Sequence, residues 1–365
     1  MPPKSQGIAA LSERNSGQQA TLVDVAREAG VSVSTAARVL RDSKYPVAPE
    51  LQKRVRSAAE KLRYVPNLLA KKLRGGEHPS LGLIVGNMRD PHFGEIAQTV
   101  AIAARERSLV AMVANMERDP QQELTMIREL WEHRVDGIIL SGGGFDQQTY
   151  KNELSALVKQ LTRSGIIVVS LAERGFSLPV FSVDNEAVGS LLARHAIEQG
   201  HTEIGVSTGP VNSHVTPERL RGIKKVLTAA GVKATVVHSE FGITGGGEAQ
   251  AKLLEANPKI TLMIANADTL GVGIVKGLAR RGVRVPDDIS VISAGNTAYA
   301  EVCNPRLVTA DICLAQCCDA AVQYVHEAIA GGRPSIPKPP QPKLITGSSV
   351  RALAPKPTRA RVRAV

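Results

Sequence analysis

The chain has 365 residues, of which 43% are hydrophobic and only 3% aromatic, and it carries a formal charge of +11. That length and apolar content allow more than one buried core, whereas so few rings argue against a stacking platform for single strands. No apolar run approaches a membrane span or the core of an export signal, so a soluble cytoplasmic protein with no membrane partner is expected.

The basic excess sits in residues 1–80 and 351–365, leaving the middle close to neutral. A basic end on a neutral body is the electrostatic footprint of a domain that neutralises phosphates. Residues 1–20 read as a disordered extension. From Thr21 two short helical patterns follow, hinged on Gly30. In the first, Leu22, Val25, Ala26 and Ala29 form one apolar stripe, with Thr21 placed to cap and Asp24 in the first turn. Gly30 suits a left-handed C-terminal stop, and Ser32 is a good cap for a second helix from Val33 to about Leu40. There Ala36, Val39 and Leu40 face inward, leaving Val33, Ser34, Ala37, Arg38 and Arg41 outside. Short side chains at its front let such a helix enter a major groove, where Arg38 can donate to guanine O6 and N7. The competing interpretation is a helical corner with solvated arginines.

Residues 50–62 predict a third helix, with Leu51, Val55, Ala58, Ala59 and Leu62 inward and a basic outer face. These three helices bound a compact headpiece over 21–66. In the next segment, YVPNLLAKKLRGG, Asn67 caps a helix from Leu68 to Arg74 that is too short to hold in water by itself. It is expected to order only against DNA and a partner copy. From Ser80 to about residue 350 short β-branched runs alternate with helices, from LGLIVG through VFSVD and AVGSLLARHAIEQ to LMIANA and LGVGIVKGLARRG. This rhythm builds parallel sheets, and its many units imply two α/β lobes with a ligand cleft between them.

Four cysteines, Cys303, Cys313, Cys317 and Cys318, crowd one region without metal-site spacing and read as buried thiols. Glycine clusters at 142–144, 245–247 and 271–277 lack phosphate-loop spacing, and no catalytic motif is found, so neither an enzyme nor a cofactor or metal is expected. The tail 351–365 reads as a basic disordered extension.

The headpiece motif TLVDVAREAGVSVSTAARVL, the hinge YVPNLLAKKLR and the run RRGVRVPDDISVI resemble signatures of the LacI/GalR family of transcriptional repressors, from Thr21 to about Arg351. The resemblance implies a helix-turn-helix headpiece and hinge helix (67–79) followed by a two-lobed, periplasmic-binding-protein-like effector domain. It implies a homodimer on a near-palindromic double-stranded operator, released or retained by a small polar metabolite: a sugar, pentose, nucleoside or acid. Val33, Ser34 and Arg38 then match base-reading positions and Leu73 a minor-groove wedge. Thr21, Ser32, Arg41, Asn67, Ala70, Lys71 and Arg74 complete the DNA-binding set. In the cleft the resemblance points to Phe93 with His92 beside it, Asp184, Arg219, Phe241 and Asn296. There are departures. Ala48 replaces the usual cap of the third helix, a loss of about 1 kcal/mol. Ala267 replaces an asparagine before Asp268, and Ser293, Ala294 and Gly295 replace a triplet whose aspartate binds sugar hydroxyls. Ser213 falls near the place of a further arginine used by purine sensors. The rival is a periplasmic-type solute-binding protein, which would need an export signal and no headpiece.

Overall fold

The computed structural model describes residues 20–40, 45–65, 79–142, 144–213 and 215–353. They form two compact units, one within residues 20–65 and one beginning at Pro79. The expected hinge helix, and with it Asn67, Ala70, Lys71, Leu73 and Arg74, lies outside the described residues, as do Arg41, most of the N-terminal extension and most of the basic tail.

The first unit is a trio of helices, α1 (Leu22–Ala29), α2 (Val33–Leu40) and α3 (Pro49–Lys61). Thr21 and Asp24 close a reciprocal capping box at the start of α1. Gly30 ends α1 at φ 61°, and the Val31 N–H returns to Ala26 O at 3.0 Å. The Ser32 hydroxyl accepts from Thr35 N at 3.1 Å and so opens α2. Val25, Ala26 and Ala29 meet Ala36, Val39, Val55 and Ala58 in one small core. Ala48 gives α3 no side-chain cap; Pro49 opens that helix instead.

The second unit holds two doubly wound lobes. In the first, β1 (Ser80–Val85), β2 (Val110–Asn115), β3 (Gly137–Leu140) and β4 (Ile167–Ser170) form a parallel sheet of order β2-β1-β3-β4. It is wound by α4 (Pro91–Glu106), α5 (Pro120–Glu132) and α6 (Gln148–Arg163). In the second, β5 (Ile204–Thr208), β6 (Ala234–His238), β7 (Leu262–Ala265), β8 (Ser290–Gly295), β9 (Val308–Asp311) and β10 (Lys343–Ile345) run in the order β10-β9-β8-β7-β5-β6, with only β10 antiparallel. Its helices are α7 (Asn185–Glu198), α8 (Val215–Ala229), α9 (Ile243–Ala256), α10 (Asp268–Arg280) and the short α11 (Ala298–Val302).

A last helix, α12 (Leu314–Ile329), follows β9 but returns to the first lobe, where Cys318, Ala321, Val322 and Val325 pack with Leu81 and Val100. The chain therefore crosses between lobes three times: after β4, before α12 and after α12. The run VFSVD, predicted as a strand, is the first of these crossings and makes only one bridge, Val180 to Ser170. Its alternation has a different cause: Phe181 is buried in the first lobe's core and Val183 in the second's.

One packing detail of the headpiece escapes any reading of single helices. Arg54 of α3 donates through Nη2 to Ala29 O at 2.6 Å, capping α1 from outside. A Cβ added at Gly30 would meet that same nitrogen at 2.5 Å, in a backbone conformation that already disfavours it. Gly30→Ala is thus expected to destabilise the headpiece by about 1–2 kcal/mol. Hydrogen exchange of the α1 and α3 amides should accelerate roughly 5- to 30-fold, with the lobes unaffected.

Candidate DNA-reading face and ligand cleft

On α2 the two sides differ in burial, although Ala37, expected outside, and Leu40, expected inside, are both half-buried. Ala36 and Val39 are buried, while Ser32, Val33, Ser34 and Arg38 are exposed. The Ser32 hydroxyl lies 2.9 Å from that of Ser34 and 2.8 Å from that of Thr35, which ties the front of the helix together. Arg38 sits over the Tyr45 ring at 5.6 Å, a cation–π contact that restrains its long side chain. Thr21 is exposed at the start of α1. Sequence reasoning missed Tyr45 because that residue lies outside every helical pattern.

The second unit encloses a cavity of about 270 Å³ between its lobes. A few contacts bridge the cleft. Glu95 of α4 accepts from Ala298 N at 3.2 Å, and Asp146 N donates to Asn212 O at 3.0 Å. Arg118, on the turn after β2, lies 5.6 Å from the Phe93 ring in its own lobe and 5.2 Å from Phe241 in the other. Its guanidinium also holds Asp90 at 2.7 Å. Neither Arg118 nor Glu95 was singled out from the sequence, since their partners lie far away along the chain.

Of the expected ligand contacts, His92, Phe93, Arg219 and Phe241 all line the cavity. Phe93, only 6% exposed, lies over Gly86, and Phe241 lies over Gly209 in the same way. Asp184 does not line it: its carboxylate accepts from Ala187 N at 2.9 Å as the cap of α7, and the next residue, Asn185, faces the cleft instead. Asn296 is likewise absent from the wall, exposed at φ 56° between Gly295 and Thr297, which do line it. The wall also recruits Phe145 and Phe181, which no motif had marked.

Arg219 enters from α8, whose backbone presses so close to α7 that a Cβ at Gly189 would meet Arg219 O at 2.0 Å. Its Nε donates to Asn185 Oδ1 at 2.9 Å and its Nη1 to Asn266 O at 2.6 Å. Burial lowers its pKa to about 10, with Asp268 and Glu218 opposing, so it stays charged at neutral pH. Burial also lowers His92 to about 4, against the pull of Asp90 and with the push of Arg219 and Arg118, so this imidazole is neutral. Asp268 accepts from Ser293, Thr309 and Thr297, at 2.6, 2.7 and 3.0 Å from the hydroxyls and 2.7 Å from Thr297 N. It is a structural knot joining α10, β8 and β9 rather than an idle acceptor.

Residues 21–67 match the family described as bacterial regulatory proteins, lacI family, and residues 193–350 a periplasmic binding protein-like domain. The HTH-type transcriptional regulator GalR of Escherichia coli (strain K12) is 31% identical over 294 residues, covering 80% of this chain and 83% of that protein. The chain belongs to the lacI family. Catabolite control protein A of Priestia megaterium is 27% identical over 295 residues, covering 79% and 86%. A structure of the lac repressor dimer bound to operator and the anti-inducer ONPF shares the fold, with a TM-score of 0.79, 22% identity, and coverage of 92% and 100%. This lacI-family chain is a transcriptional regulator with a DNA-binding headpiece and an effector-binding domain, which sets aside the solute-binding rival. These relatives are regulators rather than enzymes. No described helix is long and apolar enough to cross a membrane.

Two outcomes test the cleft's electrostatics. Asp268→Ala orphans three hydroxyls and should cost on the order of 3 kcal/mol, seen as a lower thermal midpoint of the second unit. His92, His195 and His201 all have lowered pKa values, chiefly from burial. The unfolded chain then binds more protons below about pH 6.5, so stability is complete above that value and falls as pH drops toward about 4. Urea midpoints should decrease from pH 7.5 to pH 5, and His92→Gln should flatten the decrease.

Proposed function

We propose that this chain is a repressor that binds a near-palindromic operator as a homodimer in the cytoplasm, has no catalytic activity, and is controlled by a small molecule in the interlobe cleft. The observation that carries the DNA half is the outer face of α2. Val33, Ser34 and Arg38 are exposed there on a helix clamped at both ends of its turn, with Arg38 steadied by Tyr45. In this reading the small side chains let α2 settle in the major groove, and Arg38 reads a guanine edge. Thr21 and Ser32 contact phosphates at helix starts, as does Arg41 beyond the helix end. Asn67, Ala70, Lys71, Leu73 and Arg74 serve the minor groove at the operator's centre, with Leu73 as the wedge.

The dimer reading draws on the edge strand β2, where Val110, Met112 and Val113 are exposed together with Ile102 of α4. An unpaired apolar strand of this kind invites association, and a second copy of the chain would cover it. For control, closing the cleft around a ligand moves one lobe against the other about the three crossings and so alters the spacing of the two headpieces. His92, Phe93, Arg219 and Phe241 are the ligand-facing residues in this scheme.

The test starts from operator sequences selected from random duplexes by the full chain at low salt. Binding of the selected duplex should weaken steeply as salt rises. Arg38→Ala should lose about 1–3 kcal/mol per half-site and relax base preference at one position. Failure to enrich any duplex would overturn the proposal, and unchanged preference in Arg38→Ala would remove Arg38 from base reading.

A further inference from the structure

The chain has five phenylalanines, and Phe93, Phe145, Phe181 and Phe241 all line the cavity between the lobes. In a sequence with 3% aromatic residues, four of the five phenylalanines thus reach this wall from the edges of the lobes' cores. Rings gather where they have something apolar and flat to pack against, through offset or edge contacts.

The charges are distributed as unusually as the rings. Arg118 is already neutralised by Asp90 at 2.7 Å. Arg219 has no such contact: it is 8% exposed, its two observed hydrogen bonds go to an asparagine side chain and a carbonyl, and Asp268 and Glu218 act on it through space without forming a described ion pair. Its Nη2 donates to no described residue, although Arg219 lines the cavity. A buried cation without a contact partner is costly to maintain, and an arriving carboxylate would supply the missing charge-assisted bond.

Acceptors for hydroxyl groups are correspondingly few. Asp90 is held by Arg118, Asp268 receives four hydrogen bonds, and Asn185 Oδ1 is engaged by Arg219. Glu240 lines the cavity but is largely exposed at its rim. A polyol entering this wall would find neutral partners such as His92 and Ser213 but no buried carboxylate free of hydrogen bonds, so its hydroxyls would gain less than a carboxylate gains from Arg219. A doubly charged phosphate would bring more charge than one unpaired guanidinium can balance.

Resting on the reading that the cleft holds the controlling ligand, we infer that this ligand is a small aromatic monocarboxylate. Its carboxylate accepts from Arg219 Nη2 and its ring packs among Phe93, Phe145 and Phe241. The cavity, at about 270 Å³, is at the small end of ligand pockets and suits a single ring rather than a disaccharide.

Calorimetry on the full chain without DNA tests this directly. The probes are benzoate, phenylacetate and 4-hydroxybenzoate, each paired with its neutral amide, alongside D-galactose and inosine. At least one acid should bind with a Kd below about 1 mM and its amide should bind about tenfold or more weakly. Arg219→Gln should abolish the preference for acid over amide; should that variant fail to fold, the acid and amide comparison on the unaltered chain decides. Binding by none of the acids, equal binding of acid and amide, or binding of galactose or inosine in their place would overturn the inference. Operator release is measured separately by gel shift. An acid that binds in the cleft without changing DNA affinity would sustain the ligand class and contradict the cleft's role in control.

Discussion

A buried guanidinium in the wall of the interlobe cavity, hydrogen-bonded to neutral groups and forming no described ion pair, is the constraint on which the chemistry of the second unit's cleft depends. Arg219 reaches that place because α8 lies almost against α7, an approach that Gly189 permits. Asp268, which lines the same cavity, is near enough to raise the arginine's pKa yet is hydrogen-bonded to Ser293, Thr297 and Thr309. The same carboxylate thus joins α10, β8 and β9 of the second lobe without a direct ion pair to the cation. A cleft built this way keeps a guanidinium that lines the cavity without a direct ion-pair contact.

The cleft is also where the lobes touch. Arg118 spans Phe93 and Phe241, Glu95 reaches the start of α11, and Asp146 meets Asn212. Each contact is weak by itself, and the exposed or half-buried partners gain little from Coulomb attraction in water. Together they border the ligand space, so a molecule that adds contacts to both lobes competes on the scale of a few such interactions. That is the condition for a ligand to shift an equilibrium between lobe arrangements rather than merely fill a hole.

Legibility from the sequence followed the range of the interactions. In the headpiece, Leu22, Val25, Ala26 and Ala29 lie on one stripe, Gly30 stops the helix and Ser32 starts the next, all within a dozen residues, so local rules sufficed. Arg54 did not yield to them: on its own helix it reads as a solvated cation, and only tertiary packing sends it to Ala29 O. The lobes' alternation of strands and helices was equally plain. The assignment of α12 to the first lobe was not, because its apolar stripe fits either core. In the cleft, Phe93 and Arg219 sit on regular helices, where direction follows from position. Asp184 and Asn296 sit at a cap and a left-handed turn, where one residue's difference decides which side chain lines the cavity. VFSVD shows the same limit from another side, with a strand-like period produced by two separate cores.

The central claim is that the cleft and the DNA-reading face are coupled through one equilibrium, and coupling of this kind is reciprocal. The most direct measurement is the affinity of the cleft's ligand for the full chain, free and saturated with its selected operator, set beside the affinity for operator with and without ligand. The two ratios should be equal and differ from one, by roughly 5- to 150-fold. A ligand affinity that is the same with and without operator would contradict the claim.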